Sequence, residues 1–421
     1  MEAIDSFQTL WTSRTSRCDR ITLLILLLVC ATTVFSTAIV QSLVVALTMA
    51  VVICLFRKRP LTFTRTPLDL PFATFVAARV VSIAFSQDRA LSLPALYIEY
   101  FYYIMFFLVT HTLDRNVIAG LRSTVSVLIS AAACAAIVGV AGVLLDLSPV
   151  ASSTTAGTYT LGAFLCALLP LALLVQPSQR MKMGNGVRLV SAGLICLGIT
   201  LTLDRLHWAG MAITLVVVGL FFQRRILLLS LIGGAAVTLA FPPVLSRLET
   251  IVHLGHNMAG RDIIWRGALM LIDRHPIIGF GPRTFTEIFP LFSQMWVPGV
   301  SSWHNDYLQV YMESGLVALI PLLWIIATVY YQGWRILRSR VIPPDTRNLL
   351  LGLGLSLTVI FLVGGMLDTL VGITFRTLLA LYALLISRSV TEPQKQPTAK
   401  ASATPPSHAF SRVLSRHRHV S

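Results

Sequence analysis

Three residues in this chain have the type and setting to do chemistry at a water–lipid boundary: Arg205, Arg261 and His304. Arg261 follows Gly260 and opens the series Arg261, Trp265, Ala268, Leu269, Ile272, whose spacing predicts a helix. An arginine in a first turn opposes the partial positive charge of that helix end. Combined with the free N–H groups there, the same guanidinium makes a good anion site. The plainer reading is a solvated loop arginine. Arg205 sits in Leu203-Asp204-Arg205-Leu206-His207-Trp208, a short turn between two apolar runs. Such a turn pins the side chain at the membrane surface, the depth of a lipid-linked phosphate; the plainer reading is an ion pair with Asp204.

His304 opens an apolar run beside Trp303 and close to Tyr307. Trp and Tyr mark the interface belt, where a histidine can serve as an anchor. Because imidazole titrates near neutral pH, a histidine there is also a candidate base. Asn305, Asp306, Gln309 and Glu313 add hydrogen-bonding groups on the same run, and Glu313 falls below the interface, where an ionisable group is costly. Arg79 interrupts an earlier apolar run, Glu99 sits inside the next, and Arg376 lies near a surface to which it can snorkel. His253 and His256 make half a metal site with no evident third ligand, and no Asp-x-Asp pair occurs to clamp a metal-diphosphate. Neither a metal nor a cofactor is therefore expected, and a diphosphate would have to be held by arginines.

The elements that position these groups are membrane helices. Hydrophobic residues make up 55% of the 421 and charged residues 12%, far from the quarter charged of a soluble domain. The net charge of +15 is spread over short loops at alternate ends of the apolar runs, which is topology information and not a nucleic-acid patch. A bilayer span takes about 20 apolar residues. That ruler gives about twelve spans, near 21–37, 39–56, 68–86, 93–110, 117–145, 157–175, 187–203, 207–222, 226–241, 304–331, 348–367 and 371–388. The run after Arg14, Arg17 and Arg20 is expected to stay as a first helix, since Ser36-Thr37-Ala38 is a poor cleavage site. Loops on one side carry Arg57, Lys58, Arg59, Arg180, Arg224 and Arg338 among others, whereas the other side has Arg89, Arg205 and the arginines of 242–303. By the positive-inside rule both termini are cytoplasmic, and an even number of spans follows.

The expected organisation is a cytoplasmic N-terminus over 1–20 and nine spans over 21–241. A polar segment with short helices follows over 242–303, outside the membrane, then three spans over 304–390 and a disordered basic tail over 391–421. The cysteines (Cys18, Cys30, Cys54, Cys134, Cys166, Cys196) avoid the polar segment, lack metal-ligand spacing and read as packing residues.

Gly260-Arg261 with Trp265 and Ala268, then Pro276, Gly279, Gly281 and Phe285, then His304-Asn305-Asp306-Tyr307-Leu308-Gln309 with Glu313 and Gly315, resemble the O-antigen ligase and polymerase superfamily of bacterial envelopes. Within it the layout is most similar to the O-antigen ligases. The resemblance covers roughly Arg205 to Leu319. It implies an all-α polytopic fold of the type C glycosyltransferase kind and a metal-independent inverting transfer. The glycan would pass from undecaprenyl pyrophosphate to a sugar of the lipid A–core, at the periplasmic face of the inner membrane. Arginines at Arg205 and Arg261 would hold the pyrophosphate. His304 would orient or deprotonate the acceptor hydroxyl, with Asn305, Tyr307, Gln309, Glu313, Trp265 and Arg79 in support. Where the family usually has a small hydroxyl residue before the first arginine, this chain has Asp204, an acid beside a phosphate ligand.

Other readings stay open. A polymerase of the superfamily would be expected to show two sizeable outside loops. A protein O-oligosaccharyltransferase would be expected to continue into a further domain. A transporter of lipid-linked sugars would line its path with Arg79 and Glu99, but would not need a polar segment confined to one face.

Overall fold

The computed structural model describes residues 17–56, 65–113, 117–154, 157–175, 185–252, 260–295, 299–339, 342–363, 365 and 372–391. The structure is helical, and among the described residues the only β pairing is an isolated bridge between Ser153 and Gly157. In hydrocarbon each backbone N–H and C=O must be satisfied inside its own segment, so apolar runs such as Thr37–Phe56, which carries no charge, become helices.

In chain order the helices are α1 (Arg17–Thr32), α2 (Thr37–Phe56), α3 (Asp69–Ala84), α4 (Arg89–Ser92), α5 (Ala95–Ile98), α6 (Ile104–Leu113), α7 (Val117–Leu144), α8 (Gly157–Leu174) and α9 (Asn185–Leu201). There follow α10 (Arg205–Phe221), α11 (Arg224–Ala240), α12 (Pro242–Val252), α13 (Arg261–Leu269), α14 (Phe285–Ile288), α15 (Asp306–Arg338), α16 (Pro344–Leu362) and α17 (Ile373–Thr391). Each expected span coincides with a helix or a series of helices. Among the described residues six candidates are long and apolar enough to cross a bilayer: 37–56, 89–113, 120–144, 157–174, 306–338 and 344–362. A seventh arises if α11 and the start of α12, bent by 103°, count as one broken span. The apolar helices 186–201 and 205–221 are shorter than that criterion. The multi-pass helical class therefore holds, while the helix lengths do not establish the count of twelve.

Two expected spans differ in form. The run near 93–110 is a series of α4, α5, a 3₁₀ turn over Tyr100–Tyr103 and α6. The run near 304–331 starts at Asp306, extends to Arg338 and is interrupted at Gly315. Helix α15 packs along α3, α16 along α8, α9 on α7 and α8, and α17 on α6. The main core is aliphatic, yet Arg79 and Arg376 stand with Trp303 among the largest fully buried side chains. The segment after α12 has a core of its own, built from Ile264, Ala268, Phe280, Phe285, Phe289 and Trp303 and closed by Met312 of α15. Over 242–303 the described short helices are α12, α13 and α14. His253, His256 and the tail beyond Thr391 lie outside the described residues.

Candidate functional site

The site is organised by the break in α15. Gly315 has φ 61° and ψ −163°, a conformation open in practice only to glycine. The break frees carbonyls on one side and N–H groups on the other, which in a membrane interior would each cost several kcal/mol, roughly, if left unmet. The loop 276–281 meets them. Phe280 N donates to Met312 O (2.8 Å) and Gly281 N to Glu313 O (3.0 Å). Leu316 N donates to Pro276 O (2.8 Å) and Val317 N to Ile277 O (3.1 Å). This close approach explains two further glycines of the motif. A Cβ on Gly279 would stand 2.5 Å from the backbone at Glu313 and Ser314, and one on Gly281 2.0 Å from Ser86 Oγ.

Where the loop enters the helix, charge is buried. Arg79 Nη2 of α3 donates to Glu313 Oε2 at 2.6 Å, with the two side chains only 2% and 3% exposed. Arg79 Nη1 donates to Ser314 Oγ (3.0 Å), which also meets Ser82 Oγ (2.9 Å), and the guanidinium lies 5.0 Å from the Tyr100 ring centroid. The other carboxylate oxygen, Glu313 Oε1, accepts from Arg283 N (3.0 Å) and from Gln309 Nε2. Gln309 Oε1 in turn accepts from Trp303 N at 2.9 Å. A continuous relay thus runs from Arg79 through Glu313 and Gln309 to the backbone just before His304.

His304 has φ 49°, the left-handed region that costs a non-glycine residue energy and recurs at functional positions. It is fixed from both sides. Trp303, buried, meets Phe285 edge-on at 4.8 Å and Phe289 at 6.0 Å. Asn305 caps α15, its Oδ1 accepting from Tyr307 N (3.0 Å) and Leu308 N (3.1 Å), as an N-cap asparagine should. The imidazole between these anchors is half-buried, with Ser302 Oγ 3.4 Å from its Nδ1.

Arg261 is the first residue of α13, after Gly260 at φ 78°, and is half-buried. Trp265, one turn on, shares its face and lines a cavity of about 560 Å³ with Ile272, Asn305, Tyr307, Leu308, Tyr311 and Leu319. Tyr307 and Tyr311 are held by their hydroxyls, to Phe361 O (2.6 Å) and Ile272 O (2.8 Å). Trp265 Nε1 is buried and has no partner among the described residues. The structure thus gathers Trp265, Asn305 and Tyr307 on one cavity, and Gln309, Glu313 and Arg79 into one relay.

Arg205 opens α10 and is half-buried. Asp204 is not its counter-ion: Oδ1 caps α10, accepting from Leu206 N (2.9 Å) and His207 N (3.2 Å). The acid that departs from the family pattern is thus engaged by the helix end, and its Oδ1 also lies 3.6 Å from His207 Nδ1. Arg247 of α12 reaches the same turn, donating from Nε to Leu203 O at 3.0 Å. Among the described residues no hydrogen bond or ion pair joins Arg205 to Arg261 or His304, and no cluster of three or more His, Cys, Asp or Glu gathers as a metal site.

Sequence reasoning missed Arg247, Arg283, Ser82 and Ser314. Arg283 has φ 64° and its Nη1 donates to Glu99 Oε1 at 3.2 Å, tying the loop to the series 89–113. Arg376 is fully buried 4.1 Å from the Tyr103 ring centroid, so it does not snorkel. A charge in an apolar run was the available signal for Glu99 and Arg376.

Residues 189–324 match the sequence model of a family described as O-antigen ligase. That segment is thus similar to an O-antigen ligase-type domain. No curated protein matches the chain. The O-antigen ligase match begins in α9 and ends within α15, so it holds Arg205, Arg261, His304 and both sides of the helix break. Arg79 lies outside it but supplies the cation for its Glu313. The matched segment is therefore completed electrostatically by α3.

Proposed function

We propose that this protein is an O-antigen ligase in the narrow sense. It transfers O-antigen glycan from undecaprenyl pyrophosphate to a lipid A–core sugar, at the periplasmic face of the inner membrane, with both termini cytoplasmic. The observation that carries the reading is His304. Within the family-matched segment it holds a left-handed backbone conformation, clamped by Trp303 and Asn305 and tied to a buried ion pair. Strain of this kind persists only where the surroundings over-determine it.

The reaction needs little acid catalysis, because pyrophosphate is already a good leaving group. The acceptor hydroxyl oxygen attacks the anomeric carbon as the bond from that carbon to the phosphate oxygen breaks. The electron pair leaves with undecaprenyl pyrophosphate, and the hydroxyl proton passes to His304. Arg205 and Arg261 offset the charge developing on the phosphates, and the aromatic cavity beside Asn305 and Tyr307 orients a substrate. The Arg79–Glu313–Gln309 relay positions His304 and does not touch substrate. No metal enters this scheme.

The test is reconstitution of the full chain with a lipid-linked glycan and two acceptors, lipid A–core and a pilin-type peptide, with and without EDTA. Transfer to lipid A–core that survives EDTA is expected. Lengthening of the donor glycan on its own carrier would make the protein a polymerase. Transfer to the peptide alone would make it a protein O-oligosaccharyltransferase, and EDTA-sensitive transfer restored by magnesium would place a metal in the reaction.

A further inference from the structure

A second cavity, of about 630 Å³, lies where α9 begins and α10 gives way to α11. It is lined by Arg188, Gln223, Arg224 and Arg225 together with Leu189, Ile226 and Leu229. This is the far end of α10 from Arg205, roughly 25 Å away along a 17-residue helix. Among the described residues no carboxylate lines the cavity, and none of its three arginines forms an ion pair. Arg188 Nε is buried without a hydrogen-bond partner there. Gln223 precedes α11 in extended conformation without capping it by its side chain, so the positive end of that helix faces the same region.

Arg224 and Arg225 are exposed and Arg188 is half-buried, and three cations gathered beside an apolar wall suit an amphipathic anion. We propose that this cavity seats the phosphate-bearing headgroup of an anionic bilayer lipid, its acyl chains lying against Leu189, Ile226 and Leu229. A free phosphate would use the arginines but not the apolar wall. A zwitterionic lipid would bring its own cation against them. The side with the excess of Lys and Arg is the side where such basic pockets meet anionic headgroups. The bound lipid would hold the lower end of α10 at fixed depth, whatever reaction takes place at its upper end.

The experiment uses the detergent-purified full chain and measures retained lipid by native mass spectrometry, with phosphatidylglycerol, phosphatidylcholine and inorganic phosphate as separate probes. Phosphatidylglycerol should bind. Each arginine should contribute roughly fivefold, so R188Q/R224Q/R225Q should bind on the order of 100-fold more weakly. The variant R188K/R224K/R225K should keep most of the affinity, separating charge from damage to the fold. Should the glutamine triple variant not fold, Arg188→Gln alone should weaken binding about fivefold. Equal retention of phosphatidylcholine, displacement of phosphatidylglycerol by an equal concentration of inorganic phosphate, or wild-type binding by the glutamine variants would each overturn the proposal.

Discussion

Replacing Glu313 with Gln keeps the shape of the side chain and removes its charge. Arg79 would then stand as a buried guanidinium, 2% exposed, facing a neutral amide at 2.6 Å. Breaking a buried pair by removing one partner costs about 3–5 kcal/mol, chiefly for the uncompensated charge. Removing both charges together, as Arg79→Met with Glu313→Gln, should recover most of that loss, since an apolar replacement of a buried pair is often neutral or stabilising. The cycle should therefore show a coupling of about 2 kcal/mol or more, at the upper end for residues in contact. Equilibrium unfolding in mixed micelles measures it, with Arg79→Met as the fourth corner. Function should part from stability in this set. The amide oxygen introduced by Glu313→Gln can still accept from Arg283 N and from Gln309, so the folded double variant should keep donor binding and much of its turnover. Gln309→Leu cuts the link to Trp303 N without touching the pair, and should lower turnover while binding donor normally. Additive single costs would refute the coupling of the buried pair, and a Gln309→Leu protein with wild-type turnover would refute the idea that the Gln309 link to Trp303 N positions His304.

His304→Ala should still bind lipid-linked donor but lose about 10²–10⁴-fold in turnover, the usual contribution of one general base, while His253→Ala and His256→Ala stay active. Arg205→Ala and Arg261→Ala should lose donor binding, with lysine a poor rescue because the bidentate fork is gone. Gly315→Ala should fail to give a monodisperse peak on fluorescence-detected gel filtration, because its Cβ would stand 2.1 Å from Ile277 O, whereas Gly142→Ala, with nothing within 4 Å, should behave as wild type. A cysteine replacing exposed Ser301 should react with an impermeant thiol reagent in cells with a permeabilised outer membrane, and one replacing Ser339, at the other end of α15, should be protected; the reverse pattern inverts the topology.

The apolar ruler located the helices because lipid leaves the backbone no other way to satisfy itself. It did not show the break in α15, since Gly315 in an apolar run looks like any packing glycine until the loop partner at Ile277 is known. The role of Asp204 was legible in principle: an aspartate before a helical run is a preferred N-cap. The ion-pair reading competed with that cap and lost to two backbone N–H groups. Glu313 was legible as costly, but its partner was not, because Arg79 lies 234 residues away in the chain. Trp265, Asn305 and Tyr307 entered through motif resemblance. Their common cavity appears only when α13 is folded against α15.

The break at Gly315 also bears on how the chain enters the membrane. The stretch from Asp306 to Ser314 has nine residues, about 13 Å of helix, and cannot span a bilayer of about 30 Å alone. Its open carbonyls need Phe280 and Gly281, and its carboxylate needs Arg79, all of which precede it in the chain. During synthesis this half-helix therefore arrives after the groups that complete it and can dock on emergence. A circular permutant that made α15 first would leave it waiting in lipid with its hydrogen bonds unmet. Order of translation is then part of what makes the broken helix affordable, and the chain is a sequence in time as well as in space.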